Sequence, residues 1–277
     1  MGRWKDGVVD FHIHAGSPSD WHPWVMEFVS VVNPEAEAQL ARVQAQEGLH
    51  AFLDEQGVDH AVILAETSPV TTGVVSNARV RELCAGSDRL TPFASFHPLE
   101  VEDMATTIAE LAERGFRGVK FYPSSQFFYP DDPRLEPLYA EAADKGMVVM
   151  FHTGTSIYKM SRQRFSEPLR LDDVAVDHTD LQLVMAHSGR RLWYEQAFFM
   201  AERHDNVWME LSGIPPKNVP EAFPKLERVA DRVLFGSDFP GVPSISDNVR
   251  AFRGMPWDDV MKDAVLGGNA ARLLGLW

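Results

Sequence analysis

The sequence predicts an α/β fold, a parallel (β/α)8 TIM barrel, on three observations. About eight short apolar runs, at residues 8–12, 60–65, 90–96, 118–121, 147–151, 181–186, 207–211 and 232–235, alternate with longer stretches of helical periodicity. Runs such as His60-Ala61-Val62-Ile63-Leu64-Ala65 are nearly continuous in apolar residues, as parallel strands buried on both faces must be. No shift in composition divides the 277 residues, and that length is ordinary for one such barrel. One barrel domain over residues 1–277 is therefore expected.

Taken in order, residues 8–12 form the first strand and run on to His14. Side chains alternate along a strand, so His12 and His14 project to one side and can share a cation. The connection that follows carries Trp21, Trp24, Met26, Phe28, Val29, Val31 and Val32, which is too apolar for a solvated loop. An insertion over about residues 17–34 is expected to cover the site as a short helix or lid. Pro34 opens a helix over 35–55 that Gly57 stops. After the second strand, residues 71–85 read as a helix ended by Gly86. The third strand is followed by a helix over 101–114, with Met104, Ile108 and Leu111 on one face and Gly115 at its close. The fourth strand, a helix over 135–145 capped by Gly146, and the fifth strand follow. Helices over 169–176, 191–203 and 219–229 then alternate with strands six, seven and eight. Helices over 247–253, with Asp247 as N-cap, and 257–274 complete the chain.

The formal net charge of −14 argues against nucleic acid and anionic membranes as partners, since both require a basic surface. It leaves a small anionic substrate open, because a metal and local arginines can reverse the field inside a pocket. Cys84 is the single cysteine, so no internal disulfide forms, which fits a reducing compartment. No secretory signal and no run of about 18 apolar residues is found, and a cytoplasmic location is expected. Trp4 and Trp277 are candidates for a homo-oligomer interface.

In a barrel of this kind the site lies at the C-terminal ends of the strands. The polar residues found there are His12 and His14 after strand one, Lys120 after strand four, His152 after strand five, His187 after strand six and Asp238 after strand eight. Imidazoles with a carboxylate make a mixed nitrogen and oxygen set suited to zinc, manganese or iron(II). Glu66 after strand two and His97 after strand three are candidates for supporting contacts. Of the other histidines, His22, His50, His60, His178 and His204 have no assigned role, and His178 and His204 read as solvated. The longest loops offer Phe127, Phe128 and Tyr129, then Tyr158, Lys159, Arg162 and Arg164. Arg190-Arg191 stands close to His187, so that one of the pair can reach the pocket.

Asp10-Phe11-His12-Ile13-His14, Gly115-Phe-Arg-Gly-Val-Lys120, Phe151-His152-Thr153-Gly154, Ala186-His187-Ser188-Gly189, Gly236-Ser-Asp238-Phe-Pro240 and Gly268-Asn-Ala-Ala271 occur in this order along nearly the whole chain. The ordered set resembles the amidohydrolase superfamily, and within it the amidohydrolase-2, or aminocarboxymuconate-semialdehyde decarboxylase-like, branch. The resemblance implies that His12, His14, His152 and Asp238 ligate one divalent ion, usually zinc, which makes water a nucleophile near neutral pH. It also implies that Asp238 doubles as general base and that His187 is either an acid/base residue, the favoured reading, or a second-metal ligand. In binuclear relatives a lysine at the Lys120 position is carbamylated and bridges two metals; alternatively Lys120 steadies an anionic substrate. One metal is favoured over two.

Decarboxylases of this branch generally lack lysine at this position and follow the strand-five histidine with proline, where this chain has Thr153-Gly154. Both departures lean towards hydrolysis of an amide, ester or lactone, with nonoxidative decarboxylation of a small carboxylic acid as the alternative. A barrel that binds without turnover is disfavoured because every expected ligand type is present. A serine hydrolase is disfavoured because no Gly-x-Ser-x-Gly elbow occurs.

Overall fold

A computed structural model of the chain describes residues 7–276. Strands β1 (Val9–Ile13), β2 (His60–Leu64), β5 (Leu90–Ala94), β6 (Gly118–Phe121), β7 (Val148–Gly154), β8 (Leu183–Arg190), β9 (Val207–Glu210) and β10 (Val233–Leu234) pair side by side in that order in one sheet. Every pairing is parallel. The ring closes through backbone bonds after β10: Phe11 N donates to Phe235 O, His14 N to Phe239 O and Asp238 N to His12 O, each at 2.9 Å. Asp10 reinforces the seam, its Oδ1 accepting from the backbone N of His12 at 3.0 Å and of Ser237 at 2.9 Å. This is the expected TIM barrel, and its strands match the apolar runs.

One buried cluster draws Val9, Phe11, Leu64, Phe93, Met150, Val184 and Leu234 from six different strands, which can meet only inside the barrel. On β6 the corresponding inner positions are Gly118 and Lys120, the latter in register with Met150. Ala270, Ala271 and Leu274 close the lower end. A larger cluster lies between the strands and the surrounding helices. These are α1 (Pro23–Val32), α2 (Ala36–Arg42), α3 (Gln46–Gln56), α4 (Asn77–Cys84), α5 (Met104–Glu113), α6 (Pro123–Gln126), α7 (Glu136–Asp144), α8 (Asp172–Asp177), α9 (Tyr194–Arg203), α10 (Val219–Ala222), α11 (Ile245–Arg253), α12 (Asp259–Asp263) and α13 (Asn269–Leu274). Among the described residues no helix is long and apolar enough to cross a membrane. Trp4 and Trp277 lie outside the described residues.

Several expected helices are interrupted, each for a local reason. The helix over 35–55 divides into α2 and α3 because Gln44 leaves the helical path: its side chain donates to Gly16 O and Leu40 O, and its own carbonyl accepts from Arg79. The stretch over 71–85 begins instead with a hairpin, β3 (Glu66–Ser68) against β4 (Gly73–Val75). Helix α4 starts only after Ser76, whose Oγ accepts from Arg79 N. Pro224 holds Phe223 out of the helical region and ends α10 early.

The hairpin anchors the insertion after β1. Trp21 bridges to Gly73, His22 N donates to Thr72 O at 2.9 Å, and Trp24 Nε1 donates to Thr71 O at 3.2 Å. Gly73 has φ +143°, and a Cβ on it would fall 2.1 Å from the Asp20 carbonyl oxygen. Gly73→Ala is expected to lower stability by about 1–3 kcal/mol in urea unfolding. Gly57→Ala, at φ +68° with open space around it, should cost less. Equal costs would show that the close approach at Gly73 is unimportant.

Candidate metal centre

The C-terminal rim of the barrel encloses a cavity of about 410 Å³. Val25, Met26, Phe28 and Val29 of α1 form one wall, and Phe28 meets Tyr158 edge-on with ring centroids 6.3 Å apart. His12, His14, His152, His187 and Asp238 all line this cavity.

Three of these side chains form a tight triangle. His12 Nε2 lies 3.3 Å from His14 Nε2 and 3.3 Å from Asp238 Oδ1, and His14 Nε2 lies 3.5 Å from the same oxygen. Ligand atoms on a tetrahedral ion with bonds of about 2.0–2.1 Å stand about 3.3 Å apart, so the spacing fits a cation such as zinc. His187 adds a further donor, with its ligand atom within 4.8 Å of those of His12 and Asp238. His152 stands edge-on to His187, ring centroids 4.8 Å apart, and its buried Nε2 has no hydrogen-bond partner, as would suit another ligand. The buried His14 Nδ1 is likewise unpartnered.

Local backbone geometry presents these groups. Asp238 (φ +62°), His187 (φ +64°) and Ser188 (φ +46°) adopt left-handed conformations that non-glycine residues rarely take. Thr153 braces the turn after His187, its Oγ1 donating to Ala186 O at 2.9 Å and accepting from Gly189 N at 3.0 Å. Gly154 follows because a Cβ there would lie 2.3 Å from Arg190 N. Thr153-Gly154 thus has a structural role.

A buried carboxylate, Glu210, organises the donors from behind. Its Oε2 faces His12 Nδ1 at 3.0 Å, Ser212 Oγ at 2.8 Å and His187 N at 3.2 Å, while Oε1 accepts from Ser212 N at 2.7 Å. A carboxylate accepts, so Nδ1 of His12 carries the proton and Nε2 presents a lone pair to the cavity. Nδ1 of His187 lies 3.1 Å from the Ser212 carbonyl oxygen, which fixes the same tautomer there. Glu210 is absent from the strand-end set above, although Val207-Trp208-Met209-Glu210 ends in a charged residue as other strands do.

The electrostatics follow from burial among charges. Burial, then the Arg190 charge, holds His187 well below the ordinary histidine range, and burial with Arg190 and Lys120 does so for His152. Burial, then Lys120, also lowers His12. Burial acts to raise Asp238, but the neighbouring His12 and the His14 hydrogen bond outweigh it, and the carboxyl sits well below its usual value. Asp10, buried with Oδ2 unpartnered, is pushed up to about 7 by desolvation.

Lys120 is fully buried, so it does not reach solvent. Its Nζ has no hydrogen-bond partner and lies 5.2 Å from the centre of the Tyr122 ring. Burial pushes it down to about 8, against the opposing pull of Glu210, Asp238 and Glu66.

Glu66 lines the cavity, with its carboxylate held by Trp21 Nε1 at 3.0 Å and by Thr72 Oγ1. His97 does not line it: Nε2 donates to Gln126 O at 2.7 Å and Nδ1 accepts from Leu99 N at 3.3 Å. Phe127 and Tyr129 pack on Phe165, and Arg162 and Arg164 lie over Phe127 and Phe165. The aromatic walls come instead from Trp21, Phe28, Tyr122 and Tyr158. His178 and His204, expected to be solvated, pair with Glu136 and Asp172 at 2.9 and 2.7 Å.

A (β/α)8 barrel with a histidine–aspartate cluster facing a cavity at the strand ends defines a barrel enzyme with a possible metal site. The amidohydrolase family model matches residues 9–276, and the chain belongs to that family of enzymes. No curated protein sequence matches it. Among solved structures it is similar to an uncharacterized TIM-barrel protein from Bordetella bronchiseptica, at 24% identity and TM-score 0.79, covering 98% of this chain and 99% of that one. It is also similar to 5-carboxyvanillate decarboxylase from Novosphingobium aromaticivorans complexed with manganese and 4-hydroxy-3-methoxy-5-nitrobenzoic acid, at 16% identity and TM-score 0.70, covering 99% and 97%. A third is a probable 2-pyrone-4,6-dicarboxylic acid hydrolase from Acinetobacter baumannii with citric acid bound, at 16% identity and TM-score 0.68, covering 97% and 99%. At these identities the likeness establishes the fold. Decarboxylases and a probable hydrolase both occur on it.

Two measurements probe the cluster. Glu210→Gln should weaken metal affinity about 10- to 100-fold in chelator competition, as loss of such a partner does elsewhere; unchanged affinity would leave Glu210 a packing role. A lysine lowered to about 8 from 10.5 is penalised in the fold while charged, and the penalty disappears once the unfolded chain also loses its proton. The stability advantage of Lys120→Met over wild type should therefore fall by roughly 3 kcal/mol between pH 7 and pH 10.5. A flat difference would place the charge of Lys120 elsewhere.

Proposed function

We propose that this chain is a metal-dependent hydrolase that cleaves a C–O or C–N bond of a small carbonyl compound, an amide, ester or lactone. The observation that carries the reading is geometric: Asp238 beside the donor triangle, and His187, whose Nδ1 donates to the Ser212 carbonyl oxygen, both present a proton-accepting atom to the cavity, while burial and the Arg190 charge oppose a second proton on His187. Such groups remove a proton from water.

His12, His14, His152 and Asp238 would hold one divalent ion, with zinc favoured and manganese or iron(II) suited to the same donors. When bound, that ion polarises the substrate carbonyl and lowers the pKa of water. Asp238, 29% exposed to the cavity, takes the proton of the attacking water. His187 Nε2 is the second acceptor, and returns a proton to the leaving nitrogen or oxygen. Helix α1, over the mouth, serves as a lid that limits water access. Lys120 supplies positive potential beneath the substrate in the one-metal reading; carbamylated, it would bridge a second ion. The substrate is a small molecule, and anionic character is supported by the carboxylic acids bound to the structural relatives. A cytoplasmic location accords with the single, buried and unpaired Cys84.

Nonoxidative decarboxylation is the second reading, favoured by the decarboxylases among those relatives. It replaces a carboxylate by a proton, and so needs an acid at the carbon that loses carbon dioxide.

Assay of lactones, esters, amides and aromatic acids in ¹⁸O-water separates the two. Hydrolysis leaves one solvent oxygen in the product acid, whereas release of carbon dioxide would replace the first reading by the second. Asp238→Asn should abolish turnover, and His187→Asn should lower it about a hundredfold or more with metal retained; an unchanged rate in either removes that residue from the mechanism. Plasma mass spectrometry should find about one metal equivalent per chain, lost in the double variant His12→Ala/His14→Ala. About two equivalents would bring Lys120 and His187 into the ligand set.

A further inference from the structure

We propose that Arg190 is the carboxylate anchor of this cavity, and that the substrate class is accordingly an organic carboxylate with an apolar body. The proposal rests on the cavity being the reaction site and adds the residue that selects what enters it.

Arg190 ends β8, three residues after His187, and lines the cavity. Its backbone is fixed: the carbonyl accepts from Thr155 N at 2.9 Å and Thr155 Oγ1 at 3.2 Å, and the residue stands in register with Gly154 of β7. The guanidinium is largely uncommitted. Of its five N–H donors one is used, from Nη2 to Thr155 O at 3.2 Å, and it has no carboxylate partner among the described residues. The acids of the cavity are engaged elsewhere, Glu66 with Trp21 and Thr72, Glu210 with His12 and Ser212, and Asp238 with His12 and His14.

The guanidinium packs closely against Gly213. Gly213 has φ +70°, and a Cβ on it would lie 2.1 Å from Arg190 Nη1, so a side chain there would displace the guanidinium. Nearby Ile214, Tyr158 and Leu211 are apolar or aromatic. An arginine with most of its N–H donors unused, beside apolar walls, can recognise a planar anion, and carboxylate matches its geometry. Arg190 follows His187 by three residues at the end of β8 and shares the cavity lining with His152 and His187, which brings the anchor to the same cavity as the reacting groups. Arg191, the other member of the pair, lines the mouth of the same cavity but is exposed to solvent, so it controls for positive charge at the mouth as such.

Binding of benzoate, with benzamide as its neutral analogue, tests this on the protein as purified, by isothermal titration with metal content measured on the same samples. Benzoate should bind wild type and R191M alike, and benzamide at least about tenfold more weakly; R190M should lose benzoate affinity by at least about tenfold with its metal content unchanged. R190K, which keeps the charge but not the fork, should fall between, and it decides the matter if R190M fails to fold. Equal binding by wild type and R190M, benzamide binding as well as benzoate, no benzoate binding by wild type at millimolar concentration, or unaltered affinity in R190K would each overturn the proposal. Metal content judges the metal centre separately: a metal-free wild type that binds benzoate through Arg190 would sink the hydrolase mechanism and leave the anchor standing.

Discussion

Glu210, a carboxylate with no access to solvent, is the constraint on which the rest of the centre depends. A charge in that position is costly unless its lone pairs are occupied, and the chain supplies donors from two strands and one loop residue. Those donors are the ring of His12, the backbone of His187 and both donor groups of Ser212. Satisfying one buried acid therefore fixes the direction of the His12 imidazole, and Ser212, held by the same acid, fixes that of His187 through its carbonyl oxygen. The same bonds leave Nε2 lone pairs of His12 and His187 turned to the cavity, so the arrangement that stabilises the acid also creates the donor set.

The cavity end of the barrel carries more negative than positive groups. Leaving out Arg191, which is exposed to solvent, Asp10, Glu66, Glu210 and Asp238 stand against the side chains of Lys120 and Arg190, four carboxyl groups against two cations. A divalent cation in the His12–His14–Asp238 triangle would restore the balance, which is a reason for its fit independent of ligand spacing. Asp10, pushed up to about 7, is the acid nearest to taking a proton instead. Lys120 belongs to the same balance: an amine inside the barrel, with no hydrogen-bond partner, is tolerable only in the field of Glu210, Asp238 and Glu66. Its placement above the apolar plug is set by strand register, because it shares the inner face with Met150.

What could be read from the residues and what could not divides along physical lines. Strands buried on both faces must be apolar throughout, so all eight barrel strands were visible as runs, and the polar residues that break those runs pointed to His12, His14, His187 and Asp238. Glu210 obeys the same rule at the seventh run. Helix ends set by one long-range bond were not legible: nothing local to Gln44 announces that Arg79 will bond its carbonyl, and the hairpin at Glu66–Val75 owes its shape to contact with Trp21. His97 and the aromatic residues Phe127 and Tyr129 looked like pocket residues by position, yet the short helix α6 and the turn around Phe165 occupy them. Choosing between Arg190 and Arg191 needed the bulge after His187, where successive left-handed residues turn one arginine inwards and leave the other at the rim.

Hydrolysis and decarboxylation ask for the same cation and the same anchored anion, and they differ in which way a proton moves. Water must lose a proton to attack a carbonyl, whereas a carbon that sheds carbon dioxide must gain one. The hydrogen bond from His187 Nδ1 to the Ser212 carbonyl commits the one proton of the neutral ring to the backbone, so the cavity meets the nitrogen that accepts. Burial and the charge of Arg190 oppose a second proton on that ring. A bound cation would act in the same direction on His187 and on Asp238. In the hydrolysis proposed above these two groups would first remove a proton and only afterwards return one, which is the order that cleavage by water requires.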